Sequence, residues 1–271
     1  MNAPGTLLQT LTDKLVARKD GAIGWIIFNN PARHNAVSLE MWQSLPLVLD
    51  AYVKDPEVRV IILKGEGEKA FISGADISQF KEKRSSEEAS RIYNETGDAA
   101  AAALRGCPKP VVAMIRGYCI GGGLGTAINC DIRIASDDAR FGVPAAKLGL
   151  GYRFSGISRL ATLVGPAYTA EIFFTARQFT AQEALQMGLV NRVVPAAELE
   201  STALQLAQTL SVNAPLTIAA VKRALIEFHK DPAERDLALC QKMIDDCFAS
   251  EDYKEGQTAF MEKRKPVFKG R

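Results

Sequence analysis

Histidine is nearly absent from this chain: only His34 and His229 occur among 271 residues. A Ser-His-Asp triad or a histidine-held metal would need one of them. Neither has a partner at ligand spacing, so both read as surface histidines and no metal site is expected. The five cysteines, at 107, 119, 130, 240 and 247, are odd in number, widely spaced and without a C-x-x-C pair. They read as reduced, mostly buried thiols. No G-x-x-x-x-G-K-[ST] occurs, which excludes a P-loop. Counting from Gly121, the dinucleotide fingerprint needs a third glycine where Thr126 stands, so nicotinamide chemistry is not expected. Charge of either sign is barely in excess: 33 Lys and Arg against 31 Asp and Glu give a net +2, no basis for a nucleic-acid partner. No apolar run approaches membrane-spanning length. The first twenty residues lack the continuous apolar run of a signal peptide, and a cytoplasmic location is the expectation.

What is present is the composition of a soluble globular protein, with 47% hydrophobic and 24% charged residues. The length fits one large domain, or one domain with a helical appendage. Residues 1–10 read as a loose tail. Lys14–Arg18 and Ile23–Asn29, joined by the turn signal KDGA, predict paired strands. SLEMWQSLPLVLDAYVKD has helical periodicity, which Pro46 is expected to kink or interrupt. VRVIILK (58–64) reads as a strand buried on both faces. Asp76 with Gln79, Ser85 with Glu88, and Thr180 with Glu183 read as helix caps, and the last of these helices stops at Gly188. After the short strand NRVVP the pattern is helical only, so an α/β core over residues 1–195 and a helical region over 196–271 are expected.

The chain is organised around Lys109 to Asp131, KPVVAMIRGYCIGGGLGTAINCD. It reads as a buried strand, a triple-glycine turn and a helix of small residues. Glycines at such a switch let backbone N–H groups approach a ligand closely. Together with FISGADI (71–77), the segment GYCIGGGLG (117–125) resembles the enoyl-CoA hydratase/isomerase, or crotonase, family. NNPARHNAVS, FGVPAAKLGL, TAQEALQMGLVNRVVP and SEDYKEGQTAFMEKRKPVF resemble the family's further markers in order.

The resemblance implies a spiral of β-β-α turns, with homotrimers or paired trimers (homohexamers) built through the C-terminal helices. The substrate would be an acyl-CoA thioester, so coenzyme A enters with the substrate and no separate cofactor is needed. The motif match puts the two oxyanion-hole amides on Ala75 and Gly122. It puts binding of the CoA arm on Arg33 and on Ala75, Asp76, Ile77 and Ser78, with Phe260 and Lys263 reaching a neighbouring subunit's ligand.

Hydratases of the family carry two glutamates where this chain has Gly125 and Ala145, so efficient enoyl-CoA hydration is not expected. Near the acyl end remain Tyr152 and Arg153, in LGLGYRFSG. This pattern and the closing helix resemble the methylmalonyl-CoA decarboxylase branch, although that branch has histidine at the position of Ala75. A lyase working through an enolate is therefore the expectation. Decarboxylation of a malonyl-type thioester and non-catalytic acyl-CoA binding are the alternatives. An RNA-binding role lacks the lysine-rich helix it would need.

Overall fold

The computed structural model describes residues 5–76 and 87–271. Eleven strands are described: β1 (Thr6–Leu8), β2 (Leu15–Asp20), β3 (Ile23–Phe28), β4 (Val60–Gly65), β5 (Ala70–Ile72), β6 (Val111–Ile115), β7 (Tyr118–Ile120), β8 (Ile132–Ser136), β9 (Arg140–Gly142), β10 (Phe179–Thr180) and β11 (Arg192–Val194). They form a seven-stranded sheet, β1-β2-β3-β4-β6-β8-β11, and a four-stranded sheet, β10-β9-β7-β5. The helices are α1 (Leu39–Lys54), α2 (Glu87–Gly106), α3 (Gly122–Ala127), α4 (Phe154–Thr175), α5 (Ala181–Gln186), α6 (Leu199–Ser211), α7 (Pro215–Phe228), α8 (Leu237–Ala249) and α9 (Glu251–Met261).

The chain alternates between the two sheets. β4, β6 and β8 pair in parallel in the large sheet, while β5, β7 and β9 pair in parallel in the small one. Each turn thus contributes one strand to each sheet before its helix, which is the β-β-α spiral. Both faces of the large sheet are covered, which is why its strands read as unbroken apolar runs. Ile61 and Leu63 pack toward α1 and the small sheet. Their alternates Val60 and Ile62 pack with Leu199, Ala203 and Ala207 of α6. The helical C-terminal part therefore begins with a helix that closes the far face of the sheet.

Two expectations need correction. Residues 6–8 are not tail: β1 pairs antiparallel with β2, Thr6 opposite Lys19 and Leu8 opposite Ala17. Pro46 does not break its helix. α1 runs unbroken from a Ser38 cap, held by the buried Met41, Trp42, Leu45, Val48, Leu49 and Tyr52, whose burial outweighs the backbone bond that proline forfeits. The strands at 15–20 and 23–28, the Thr180–Glu183 capping box and the strand at 192–194 stand as expected. The caps expected at Asp76–Gln79 and Ser85–Glu88 reach outside the described residues. No helix among the described residues is long and apolar enough to cross a membrane.

Candidate active site

The central stretch is two strands in two sheets, followed by a helix of only six residues. β5 and β7 lie side by side in the small sheet, and each ends in a glycine turn at the same edge. After β5, Ser73 N–H donates to the His34 carbonyl at 3.1 Å, and Gly74 adopts a φ of 123° that side-chain-bearing residues rarely take. Val37 then bridges the turn: its N–H donates to Gly74 O at 2.9 Å, and its carbonyl accepts from Asp76 N at 3.0 Å. Ala75, between them, spends neither of its backbone groups on this bridge.

After β7, Gly121 turns the chain at a φ of 54° while its N–H donates to Gly142 O at 2.8 Å. A β-carbon on Gly123 would stand 2.1 Å from Ile72 O, so only glycine lets α3 press against β5. That closeness delivers Gly122 to the neighbouring turn. A β-carbon placed on Gly122 would lie 3.8 Å from Ala75 N and 3.7 Å from Trp42 Cζ2. Among the described residues, neither the Ala75 nor the Gly122 N–H donates to a protein acceptor. Two unspent amides side by side, one of them opening a helix, form a donor pair for an oxygen that gains negative charge.

The residues expected near an acyl group come from more distant pieces. A β-carbon on Gly125 would meet the Tyr152 hydroxyl at 4.0 Å. The Tyr152 ring lies over Gly156, where an added β-carbon would come within 3.0 Å of its Cε1. Its other contact is edge-on with Phe173, ring centroids 4.8 Å apart. Its hydroxyl has no hydrogen-bond partner among the described residues; although 38% of the residue's surface is exposed, desolvation around the phenol pushes it above the usual value. Ala145 is buried in a single 3₁₀ turn, Pro144–Leu148. Arg153 does not stand free: its guanidinium pairs with Asp98 of α2.

Of the residues expected on the CoA arm, Arg33 and Asp76 are brought together, Nη1 to Oδ1 3.5 Å, and Asp76 is next in sequence to Ala75. Ile77 and Ser78 lie outside the described residues. Phe260, on α9, is 83% exposed, and Lys263 follows that helix with a φ of 56°; neither is tied to the Ala75–Gly122 pair by a described contact within this chain. Phe260 instead helps line an apolar cavity of about 730 Å³ among α7, α8 and α9. His34 stacks on Tyr118, with ring centroids 6.0 Å apart, and His229 Nε2 lies 2.9 Å from Arg159 Nη1. Burial, then the Arg159 charge, holds His229 below its ordinary value. Among the described residues no group of three potential ligands is arranged to hold a metal ion.

Sequence reading missed the supports of this site. Trp42 Nε1 donates to the Tyr93 hydroxyl at 3.2 Å, Asn129 Nδ2 donates to Gly125 O at 2.6 Å, and Arg105 Nη1 donates to Asn129 Oδ1 at 2.9 Å. No local motif marks them. The one usable signal is helical register, since Asp98 and Arg105 are seven residues apart on α2 and so share a face.

Two largely parallel sheets fed in turn by a β-β-α spiral, with two glycine turns side by side at one edge, define a protein of the crotonase fold. The profile of the family described as Enoyl-CoA hydratase/isomerase matches residues 18–271, and the chain belongs to that family. It is 38% identical over 253 residues to the short-chain-enoyl-CoA hydratase of Clostridium acetobutylicum, covering 93% of this chain and 96% of that one. It is 36% identical over 265 residues to the carnitinyl-CoA dehydratase of Escherichia coli K12, covering 96% and 100%. Among solved structures, an enoyl-CoA hydratase/carnithine racemase from Magnetospirillum magneticum superimposes with a TM-score of 0.89 at 35% identity over 97% of both chains.

Proposed function

We propose that the chain is a lyase acting on an acyl-CoA thioester through an enolate held by the Ala75 and Gly122 amides, without the paired carboxylates of a hydratase. The observation that carries this reading is the Tyr152 hydroxyl set over Gly125, 4.0 Å from the site of a β-carbon there. The thioester oxygen accepts from the two amides. As the α-carbon becomes an enolate, the negative charge collects on that oxygen, where one such donor contributes ~3–4 kcal/mol in comparable sites. Arg33 and Asp76, with Ile77 and Ser78, hold the CoA arm. Phe260 and Lys263 serve a neighbouring subunit's ligand in a homotrimer or a dimer of trimers. The exposed Phe248, Phe260 and Met261 support such burial between copies. Coenzyme A arrives within the substrate, no metal or other cofactor takes part, and the protein works in the cytoplasm.

A neutral phenol at Gly125 suits protonation of an enolate carbon better than activation of water. This favours loss of carbon dioxide from a malonyl-type thioester. The bond between the α-carbon and the carboxylate breaks, its electron pair passes into the enolate, and the α-carbon then takes one proton from Tyr152 or from water. Arg153 is the candidate grip for the leaving carboxylate, and Asp98 occupies it in the free chain. Too firm a grip would stabilise the ground state and slow the reaction, so a grip already shared with Asp98 suits the chemistry.

Assays with crotonyl-CoA and methylmalonyl-CoA test the reading. Decarboxylation with little hydration is the expected result. Hydration at ordinary family rates would overturn it. Thermal stabilisation by both thioesters without turnover would make the chain an acyl-CoA-binding protein instead.

A further inference from the structure

α2 borders the site at three successive places. Tyr93 accepts from Trp42, whose ring edge lies beside Gly122. Asp98 pairs with Arg153, next in sequence to Tyr152. Arg105 holds Asn129, whose amide holds the Gly125 carbonyl. The first and third contacts fix the glycine stretch itself. The second acts on the segment that carries the phenol, and it joins residues 55 positions apart.

That segment needs a restraint. Between the 3₁₀ turn and α4 the chain runs Gly149-Leu150-Gly151-Tyr152, with Gly149 at a φ of 64° and Leu148 and Leu150 exposed. Two glycines in four residues give an unfixed segment many conformations to lose. Leu150 N–H to Ala145 O, 3.0 Å, closes the near side of the segment. On the far side stands Arg153, the N-cap of α4, which has no side-chain cap bond of its own. Ring packing on Phe173 and Gly156 sets where the Tyr152 side chain lies, but it does not stop the backbone from lifting the ring away.

We propose that Asp98 is a positioning residue: its ion pair with Arg153 clasps α2 to the start of α4 and so holds the Tyr152 hydroxyl over Gly125. This deepens the functional reading above and rests on it for the role of the phenol. The pair is about half exposed on both sides, 46% and 52%, so it is a weak, salt-screened contact that opens readily. Ligand entry therefore does not have to break a strong lock. A substrate carboxylate that reaches Arg153 does so by exchange with Asp98, and the clasp becomes a route by which the acyl group influences the phenol.

The test compares the parent chain, Asp98→Asn, and the charge-swapped pair Asp98→Arg with Arg153→Asp. The first readout needs no turnover: alkaline titration of Tyr152, taken as the difference between each chain and its counterpart carrying Tyr152→Phe. Asp98→Asn should move the midpoint down toward the ordinary phenol value of 10.0, and the swapped pair should restore it. The second readout is steady-state turnover. Asp98→Asn should lower kcat about two- to fivefold with KM little changed, the size of an exposed ion pair, with recovery in the swapped pair. An unchanged Tyr152 titration in Asp98→Asn, or a swapped pair that fails to restore it, would overturn the positioning role. If the parent turns over no thioester, the functional reading fails while the titration still decides the role of Asp98.

Discussion

The hydroxyl of Tyr152 and the backbone of Gly125 face one another, with room between them for one added carbon at 4.0 Å from the oxygen. The phenol thus takes the space that a longer side chain at residue 125 would fill. Its chemistry separates from its packing, because the ring edge on Phe173 survives removal of the oxygen. Tyr152→Phe should leave the melting temperature nearly unchanged while lowering turnover ~10²–10⁴-fold, the usual contribution of a positioned proton-transfer group. A loss of stability in step with the loss of activity would mean that the hydroxyl serves the fold.

The same relationship predicts how hydration can be introduced. Gly125→Glu with Ala145→Glu restores two carboxylates, yet the first must compete with Tyr152 for its space. The double variant should gain little crotonyl-CoA hydration. Adding Tyr152→Ala should release the carboxylate and raise hydration by a factor on the order of 10² or more over the double variant. Comparing initial rates for the two variants checks it, and equal rates would show that Tyr152 does not obstruct position 125.

What could be read from the sequence follows from how local each cause is. VRVIILK reads as a strand because both of its faces are apolar, and the structure covers both. The triple-glycine turn at 121–123 reads as a close-approach site because a positive φ, as at Gly121, and a missing β-carbon, as at Gly123, are properties of single residues. β1 could not be read, since its three residues have two exposed and gain order only by pairing with β2. The spiral had no legible period because the helical segments closing its turns are unlike one another: α3 has six residues, whereas Phe154–Thr175 is two helices meeting at a kink at Gly165, with a φ of 79°. Asp98 was invisible for a related reason: its partner is brought to it by the fold across 55 positions.

Gly122 and Gly123 should respond in opposite ways to the same substitution. A β-carbon on Gly123 would stand 2.1 Å from Ile72 O, a backbone atom that cannot move aside without parting α3 from β5. Gly123→Ala should therefore destabilise the chain by at least ~1–3 kcal/mol in urea unfolding. On Gly122 the nearest atoms lie at 3.7 Å, an ordinary contact, so Gly122→Ala should fold normally. The new methyl crowds the place of the thioester oxygen, and thioester affinity or turnover should fall at unchanged stability. Equal destabilisation by both substitutions would remove the distinction between a structural and a ligand-facing glycine.

α7 is held to the sheet by a polar contact that can be tested without any ligand. Lys222 is 8% exposed, and its Nζ donates to Lys109 O at 2.8 Å and to Asp131 Oδ2 at 2.7 Å. Asp131 in turn accepts from Val111 N at 2.7 Å, the first residue of β6. Lys222→Ala leaves a carbonyl and a partly buried carboxylate short of a donor, which should cost ~1–3 kcal/mol. Hydrogen exchange should rise in α7 before it rises in β6, and protection unchanged in both would show that apolar packing alone seats the helix.

Alkaline stability should be set by thiols in the core. Cys107, Cys119 and Cys130 are buried, and burial pushes the Cys130 thiol up to about 12 from its ordinary 9.0. The neutral thiol is thus favoured in the folded chain, while the unfolded chain releases its proton at the ordinary value. The folded state binds more protons between these two values, so this contribution to stability is whole below 9.0 and is lost as pH rises toward about 12. Urea midpoints measured between about pH 8 and pH 11 should fall for the parent. They should fall less steeply for Cys130→Ala, although that variant starts lower by the cavity it creates. Identical slopes for the two chains would show that the Cys130 thiol does not limit stability in alkali.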